Sequence, residues 1–368
     1  MPRAEPRCES PHHHGLLVRW RTWTIGLAAA VITGWAGFTV YKIRAVAAEL
    51  VNPPFYHPKP LQVVDQTYAE LAKGDGNDPG GTWRSQQVDG LQLWTFRRAK
   101  PSRGIVLLLH GFGDDRWGTS PALKWFPDQD AAIFTYRRRD DAMRGGEPAP
   151  PVTFGARESE EVVRMVHHLE TQGWRRNQIL LMGRSLGASV GLLALVQLES
   201  GGHGPLAGII WEGAPSSSCS FGEALVRGPK NRLWHPLVAP LAGKFGSALA
   251  ARRGGYEVRD TDVLARMGDR TLLTPALCFL ATEDRLASPQ AQRKMADHFN
   301  TVRLLEIPTW HLNCSALLGP HYAMAIRAFT DDVLSACLDI AKKGPRERPF
   351  RKTKLSLLIG HDLGDKLR

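Results

Sequence analysis

Three residues far apart in the chain have the types and surroundings that nucleophilic catalysis needs. Ser185 lies in Gly183-Arg184-Ser185-Leu186-Gly187, a G-x-S-x-G pattern between the apolar run 179–182 and a helical repeat of apolar positions starting at Leu186. At such a strand-to-helix turn, a nucleophile elbow, the serine hydroxyl is lifted clear of the sheet edge. The helix behind it points its amides and positive dipole end at the same spot. Both glycines are required, because a side chain at either position would strike the neighbouring strand or helix. The pattern is short and the chain holds 36 glycines, so its weight comes from the strand-turn-helix context. Asp284 follows the run Ala276–Ala281, and His311 follows the run Val302–Ile307. Open α/β sheets bind ligands beyond the carboxyl ends of their strands, where both residues stand. The order Ser185, Asp284, His311 suits a nucleophile, an orienting acid and a general base. Glu283 is the rival acid and His321 the rival base; an exposed turn acid and a buried structural histidine are the plain alternatives.

Acyl chemistry also needs donors for a developing oxyanion. The run Ile105–Leu109 ends in His110-Gly111-Phe112-Gly113, a turn able to aim an amide at the site. The candidate donors are the backbone amides of Phe112 and Leu186. His110, beside these donors, is expected to hydrogen-bond within the loop, and Arg184 to pack the elbow. Five cysteines (Cys8, Cys219, Cys278, Cys314, Cys337) show no C-x-x-C spacing, so neither a disulfide framework nor a structural zinc site is indicated. His12-His13-His14 could grip a metal, but adjacent imidazoles in a terminal segment are more often inert. No metal or cofactor is expected.

These residues need a scaffold. The 368 residues are 43% hydrophobic and 23% charged, an ordinary globular composition able to fill one large domain or two smaller ones. The net charge of +11 suits an anionic membrane surface, acidic substrates or nucleic acid. Nucleic acid is the weakest of the three, since no aromatic RNA-binding motif, zinc knuckle or helix-turn-helix pattern occurs. Oligomeric state is left open.

Residues 1–21 are basic and irregular. Residues 22–41 are uncharged and mostly apolar, flanked by Trp20, Trp23 and Tyr41 and then by Lys42 and Arg44. As a helix this run covers about 30 Å, the hydrocarbon thickness of a bilayer. A signal peptide and a buried core helix are the alternatives. Ala45-Val46-Ala47 resembles a cleavage site, yet Lys42 and Arg44 intervene, so an uncleaved single-pass anchor is favoured. Arg3, Arg7, Arg19 and Arg21 precede the span, which places the N-terminus in the cytoplasm and the rest of the chain outside it. Residues 45–80 read as a linker, with Pro53, Pro54, Pro58 and Pro60 followed by a glycine-rich stretch.

From 81 to 341 strands and helices alternate. The segments 83–88 and 91–97 flank Asp89-Gly90, a type I′ hairpin signal. Strands are expected at Ile105–Leu109, 131–136, 179–182, 207–211, Ala276–Ala281 and Val302–Ile307, with helices at 156–169, 288–298 and about 323–340. The alternation predicts a mostly parallel sheet with helices on both faces. Prolines interrupt 214–268 (Pro215, Pro229, Pro236, Pro240), and this region reads as an inserted lid. Part of it carries Arg227, Lys230, Arg232, Lys244, Arg252 and Arg253 with no acid among them, either a solvated surface or one that attracts anionic lipid. The basic tail 342–368 is expected to be loosely held.

Across about residues 80–340 the chain resembles the α/β-hydrolase superfamily. The resemblance rests on His110-Gly111-Phe112-Gly113, Gly183-x-Ser185-x-Gly187, Asp284 within Ala281-Thr282-Glu283-Asp284-Arg285, and His311. Pro151-Val152-Thr153-Phe154-Gly155 with the acidic segment after it is similar to membrane-anchored serine hydrolases related to prolyl-oligopeptidase-type catalytic domains. The resemblance implies a cofactor-free hydrolase with a Ser-His-Asp triad working through an acyl-enzyme. The anchor and the basic lid, which would hold the site beside anionic lipids, favour cleavage of an ester, lipid ester or thioester, with a small-molecule or lipid acyl substrate. A peptidase or amidase on the same fold is the alternative, and a catalytically silent binding or scaffold protein is the alternative of another class. Two positions depart from the pattern. Ala281 stands where a glycine is common before the acid, and Trp310 where one is common before the histidine, so substrate class is not implied.

Overall fold

The apolar runs form the strands of one sheet. A computed structural model describes residues 12–53, 81–137, 150–202, 204–228, 235–343 and 353–354, the side chains of 12–22, Trp117, His235 and all residues beyond 335 excepted. The strands are β1 (Thr82–Val88), β2 (Leu91–Arg97), β3 (Ile105–Leu109), β4 (Asp130–Phe134), β5 (Ile179–Arg184), β6 (Gly208–Glu212), β7 (Ala276–Ala281), β8 (Val302–Ile307) and β9 (Thr353–Lys354). Among the described residues their order is β1-β2-β4-β3-β5-β6-β7-β8-β9. β1 pairs antiparallel with β2, and β2 with β4; every later pairing is parallel. Asp89 and Gly90 both take positive φ (49° and 75°), as the type I′ hairpin turn demands.

The central strands are buried on both faces because alternate side chains feed two separate cores. In β3, Ile105, Leu107 and Leu109 enter one core, and Val106 and Leu108 the other. Ten helices occur among the described residues: α1 (His12–Val51), α2 (Arg116–Thr119), α3 (Glu158–Thr171), α4 (Leu186–Ser200), α5 (Ser218–Arg227), α6 (His235–Gly254), α7 (Val263–Met267), α8 (Pro289–Asp297), α9 (Cys314–Leu318) and α10 (Pro320–Lys343). Met165 of α3, Val190 and Leu193 of α4 and Met295 of α8 cover the first face. Tyr322, Ile326 and Phe329 of α10 cover the second with Trp125.

Three segments differ from expectation. Residues 12–21 belong to α1, since after Pro11 the segment holds no proline and a single glycine, Gly15. At its other end α1 runs through Val51 where a linker was expected at 45. Val46, Ala47 and Leu50 are buried in the first core, and this burial holds the last turns helical. The remainder of the linker from residue 54 on, most of the basic tail, and Lys230 and Arg232 lie outside the described residues. Within the tail, Thr353 and Lys354 pair with Arg303 and Leu304 as an edge strand rather than hanging loose. Among its described residues the lid region contains no strand and forms α5, α6 and α7. Helix α6 accommodates Pro240 near its start, where one lost amide costs a single helical bond. By length and composition Trp23–Val51 suffices to cross a membrane, a character it shares with signal sequences. Its large apolar side chains stand open, Trp23 at 78% and Leu27 at 68% exposure.

Candidate active site

Strand β5 ends and α4 begins within one residue, Ser185. Its backbone takes φ 52° and ψ −125°, outside the ordinary regions, a conformation that costs about 1–3 kcal/mol. The turn holds because the Ser185 amide donates to the Glu212 carbonyl at 2.9 Å and the glycines let the backbones close up. A Cβ on Gly183 would lie 2.3 Å from the Gly187 carbonyl oxygen, and one on Gly187 would lie 2.2 Å from that of Leu109. Gly187→Ala therefore has to separate α4 from β3. The expected loss is about 2–3 kcal/mol of stability, read as a lowered urea midpoint.

Asp284 and His311 arrive from the ends of β7 and β8. His311 Nδ1 lies 2.7 Å from Asp284 Oδ2, and its Nε2 lies 3.1 Å from Ser185 Oγ. The second Asp284 oxygen accepts from the amides of Leu286 and Ala287, both at 2.9 Å, which fixes the carboxylate. Asp284 is buried and Ser185 is 8% exposed. The rivals are elsewhere in character: Glu283 and His321 are both solvent-exposed. The structure thus brings Ser185, His311 and Asp284 into one hydrogen-bonded chain.

The loop after β3 closes the other side. A Cβ on Gly111 would sit 3.6 Å from that of Ser185, so this loop lies against the serine. The Phe112 ring is held by Phe154 and Phe221 at centroid distances of 5.8 and 5.1 Å. Phe154 is set in turn by buried Glu158, which accepts from the amides of Thr153 and Gly155 at 2.9 and 2.8 Å. Phe112 and Leu186 therefore flank the serine from two elements. His110 is buried; its Nδ1 faces the Gly111 carbonyl at 3.0 Å, and its Nε2 accepts from the Tyr136 amide at 3.2 Å. Those bonds make it the loop's internal brace.

Sequence reasoning missed Glu212. This fully buried carboxylate accepts from Arg184 Nε, the Cys314 amide and the Tyr322 hydroxyl, each at 3.0 Å. Arg184 also donates to the Leu312 carbonyl at 2.8 Å. Arg184 is therefore more than elbow packing. With Glu212 it ties the elbow, β6, the His311 loop and α10 into one network. The available signal was a lone acid directly after the apolar run of β6, at the same sheet edge as the other site residues. Burial and the neighbouring Glu212 charge push the Cys314 thiol and the Tyr322 hydroxyl upward, so both stay protonated. Cys278 is likewise raised by burial, and Cys219 by partial burial. None of the three described thiols has the depressed pKa of a cysteine nucleophile.

Ser185 and His311 open into a cavity of about 500 Å³. Its walls are largely apolar, with Phe112, Trp125, Met182, Phe221 and Leu225 among them, joined by the carboxylates Glu49 and Asp114. Such a pocket accepts an apolar group and offers a few polar contacts for orientation. Among the described residues no group of three His, Cys, Asp or Glu side chains is placed to hold a metal.

No protein-family model matches the sequence, and no curated protein matches it. Solved structures do match by shape. The Pyrococcus furiosus esterase Pf2001 is 15% identical with a TM-score of 0.55, over 77% of this chain and 98% of its own. A 2,6-dihydroxy-pseudo-oxynicotine hydrolase is 16% identical with a TM-score of 0.52, over 78% of this chain and 75% of its own. EstE5, soaked with p-nitrophenyl butyrate, is 17% identical with a TM-score of 0.50, over 81% of this chain and 97% of its own. The chain has the α/β-hydrolase fold.

Proposed function

We propose that this protein is a serine hydrolase that cleaves an acyl ester, with Ser185, His311 and Asp284 as its catalytic triad. The observation that carries the reading is the His311 ring, bonded on one side to Asp284 and on the other to Ser185. Support also comes from the esterases and the hydrolase that share the fold. Ser185 Oγ attacks the ester carbonyl while His311 Nε2 takes its proton, and the amides of Phe112 and Leu186 receive the charge on the carbonyl oxygen. His311 then protonates the departing alcohol, leaving Ser185 acylated. Water, deprotonated by His311, cleaves the acyl-enzyme, releasing the carboxylic acid and returning the proton to Ser185. Asp284 holds the Nδ1–H tautomer throughout. Helix α1 is the membrane anchor, and the four arginines before the span against two basic residues after it favour a site on the extracytoplasmic side.

The test is labelling of membrane fractions with a fluorophosphonate probe. The native chain is expected to label and Ser185→Ala to lose the label entirely. A folded native chain that takes no label overturns the reading.

A further inference from the structure

The last turns of α1 are part of the catalytic domain, not a tether leading to it. Val46 inserts between two glycines, Gly222 of α5 and Gly246 of α6, and a Cβ on either would come within 2.7 Å of its Cγ1. A Cβ on Gly246 would also lie 3.1 Å from the Ile43 carbonyl oxygen, so α1 and α6 meet almost backbone to backbone. At the last residue of the helix, the Val51 carbonyl accepts from the Val152 amide at 3.0 Å. That bond ties α1 to the turn that positions Phe154, and through it Phe112. In the same turns, Glu49 forms part of the wall of the cavity that holds Ser185 and His311.

Two turns earlier the same helix has the marks of a membrane boundary. Lys42 Nζ sits over the Phe38 and Tyr41 rings at 5.6 and 5.8 Å, and every residue from Thr24 to Tyr41 is uncharged. Helix α1 is unbroken between Lys42 and Glu49, which at 1.5 Å per residue are about 10 Å apart along its axis. That distance spans one headgroup layer, about 5–8 Å deep, and reaches just past its outer edge. Next to Gly246, the Phe245 ring is 49% exposed and Lys244 projects beside it, while Arg252 and Arg253 are also exposed on α6. An open aromatic ring among lysine and arginine suits contact with lipid headgroups.

We propose that α1 is both a wall of the active-site cavity and the ruler that sets its mouth at the headgroup layer. The substrate is then a lipid ester resident in the bilayer, whose acyl chain slides along α1 into the apolar cavity without crossing bulk water. This rests on the serine hydrolase and membrane anchor readings above, and it adds the source of the substrate and the route by which it enters.

The experiment uses the full chain in phosphatidylcholine vesicles with two substrates, water-soluble p-nitrophenyl acetate and a long-chain fluorogenic acyl ester dissolved in the bilayer. Inserting about seven helix-forming residues between Lys42 and Ile43 lifts the domain by about 10 Å while keeping nearly the same helix face toward α6. The insertion is expected to lower turnover of the bilayer ester about tenfold or more and to leave p-nitrophenyl acetate within about twofold, since only access to membrane substrate changes. Phe245→Glu, at an exposed position of α6 outside the cavity wall, is expected to lower bilayer turnover in the same selective way by repelling anionic headgroups when phosphatidylserine is included in the vesicles. Unchanged turnover of the bilayer ester by the lengthened chain overturns the proposal, as does an equal loss on both substrates. A native chain that hydrolyses neither ester and takes no fluorophosphonate label fails differently: it removes the hydrolase reading itself.

Discussion

The Asp284→Asn chain is expected to fold as the native chain does and to turn over about 10⁴-fold more slowly. The reason lies in which atom faces which. Asp284 Oδ1 is committed to the amides of Leu286 and Ala287, and an asparagine keeps its oxygen there because those partners are donors. Its Nδ2 then faces His311 Nδ1 in place of Oδ2, with a donor where an acceptor stood. The imidazole must switch to the Nε2–H tautomer. A donor now points at Ser185 Oγ, and no base is left to take the serine proton. Steady-state hydrolysis of p-nitrophenyl acetate near neutral pH, with thermal melting alongside, measures both halves of the expectation. Native-like turnover would show that Asp284 does not set the tautomer and would reopen the role for Glu283.

Glu212→Ala is expected to be the most destabilising of the single changes considered, by about 3 kcal/mol. It strands the Arg184 guanidinium, the Tyr322 hydroxyl and the Cys314 amide at once, in a site where Glu212 itself has no exposure. The Arg184 side chain is 33% exposed and finds some water, which keeps the loss below that of a fully sealed pair. Activity carries the more specific signature. The Arg184–Leu312 bond and the Cys314 amide hold the C-terminal end of the loop that carries His311, so losing Glu212 lets the imidazole drift from Ser185. A drift of about 1 Å is worth up to about 100-fold in kcat, with KM little changed. Glu212→Gln, which keeps the shape and part of the bonding, is expected to recover most of the stability and some of the rate. Equal kcat for the native and Glu212→Ala chains, measured where both are folded, would reduce Glu212 to a purely structural residue.

Much of the scaffold is local and therefore legible in the residues. Runs such as Ile105–Leu109 and Ala276–Ala281 are apolar at every position because both faces of the sheet are covered, and that pattern survives without any knowledge of neighbours. Asp89-Gly90 specifies its own turn, since both positions need positive φ. Gly183 and Gly187 mark the elbow for the same kind of reason, a backbone approach that admits no side chain. Ser185, Asp284 and His311 were readable as candidates because each directly follows a strand, and parallel strands deliver their carboxyl ends to one edge.

What the chain does with its polar and small residues outside those patterns was decided only in three dimensions. Glu212 reads as an ordinary acid at a strand end until Arg184, Cys314 and Tyr322, up to 110 positions away, converge on it. The last turns of α1 read as linker because their burial depends on Gly222 and Gly246, about two hundred residues downstream, leaving a slot for Val46. Local propensity and hydrophobic period carry information about a residue and its near neighbours along the chain. A partner that arrives from another element supplies its energy only once the sheet has assembled, so the sequence determined the strands, the turns and the candidate chemistry. The tertiary structure alone decided which acid is buried, which histidine reaches the serine, and that the apolar helix forms a wall of the site.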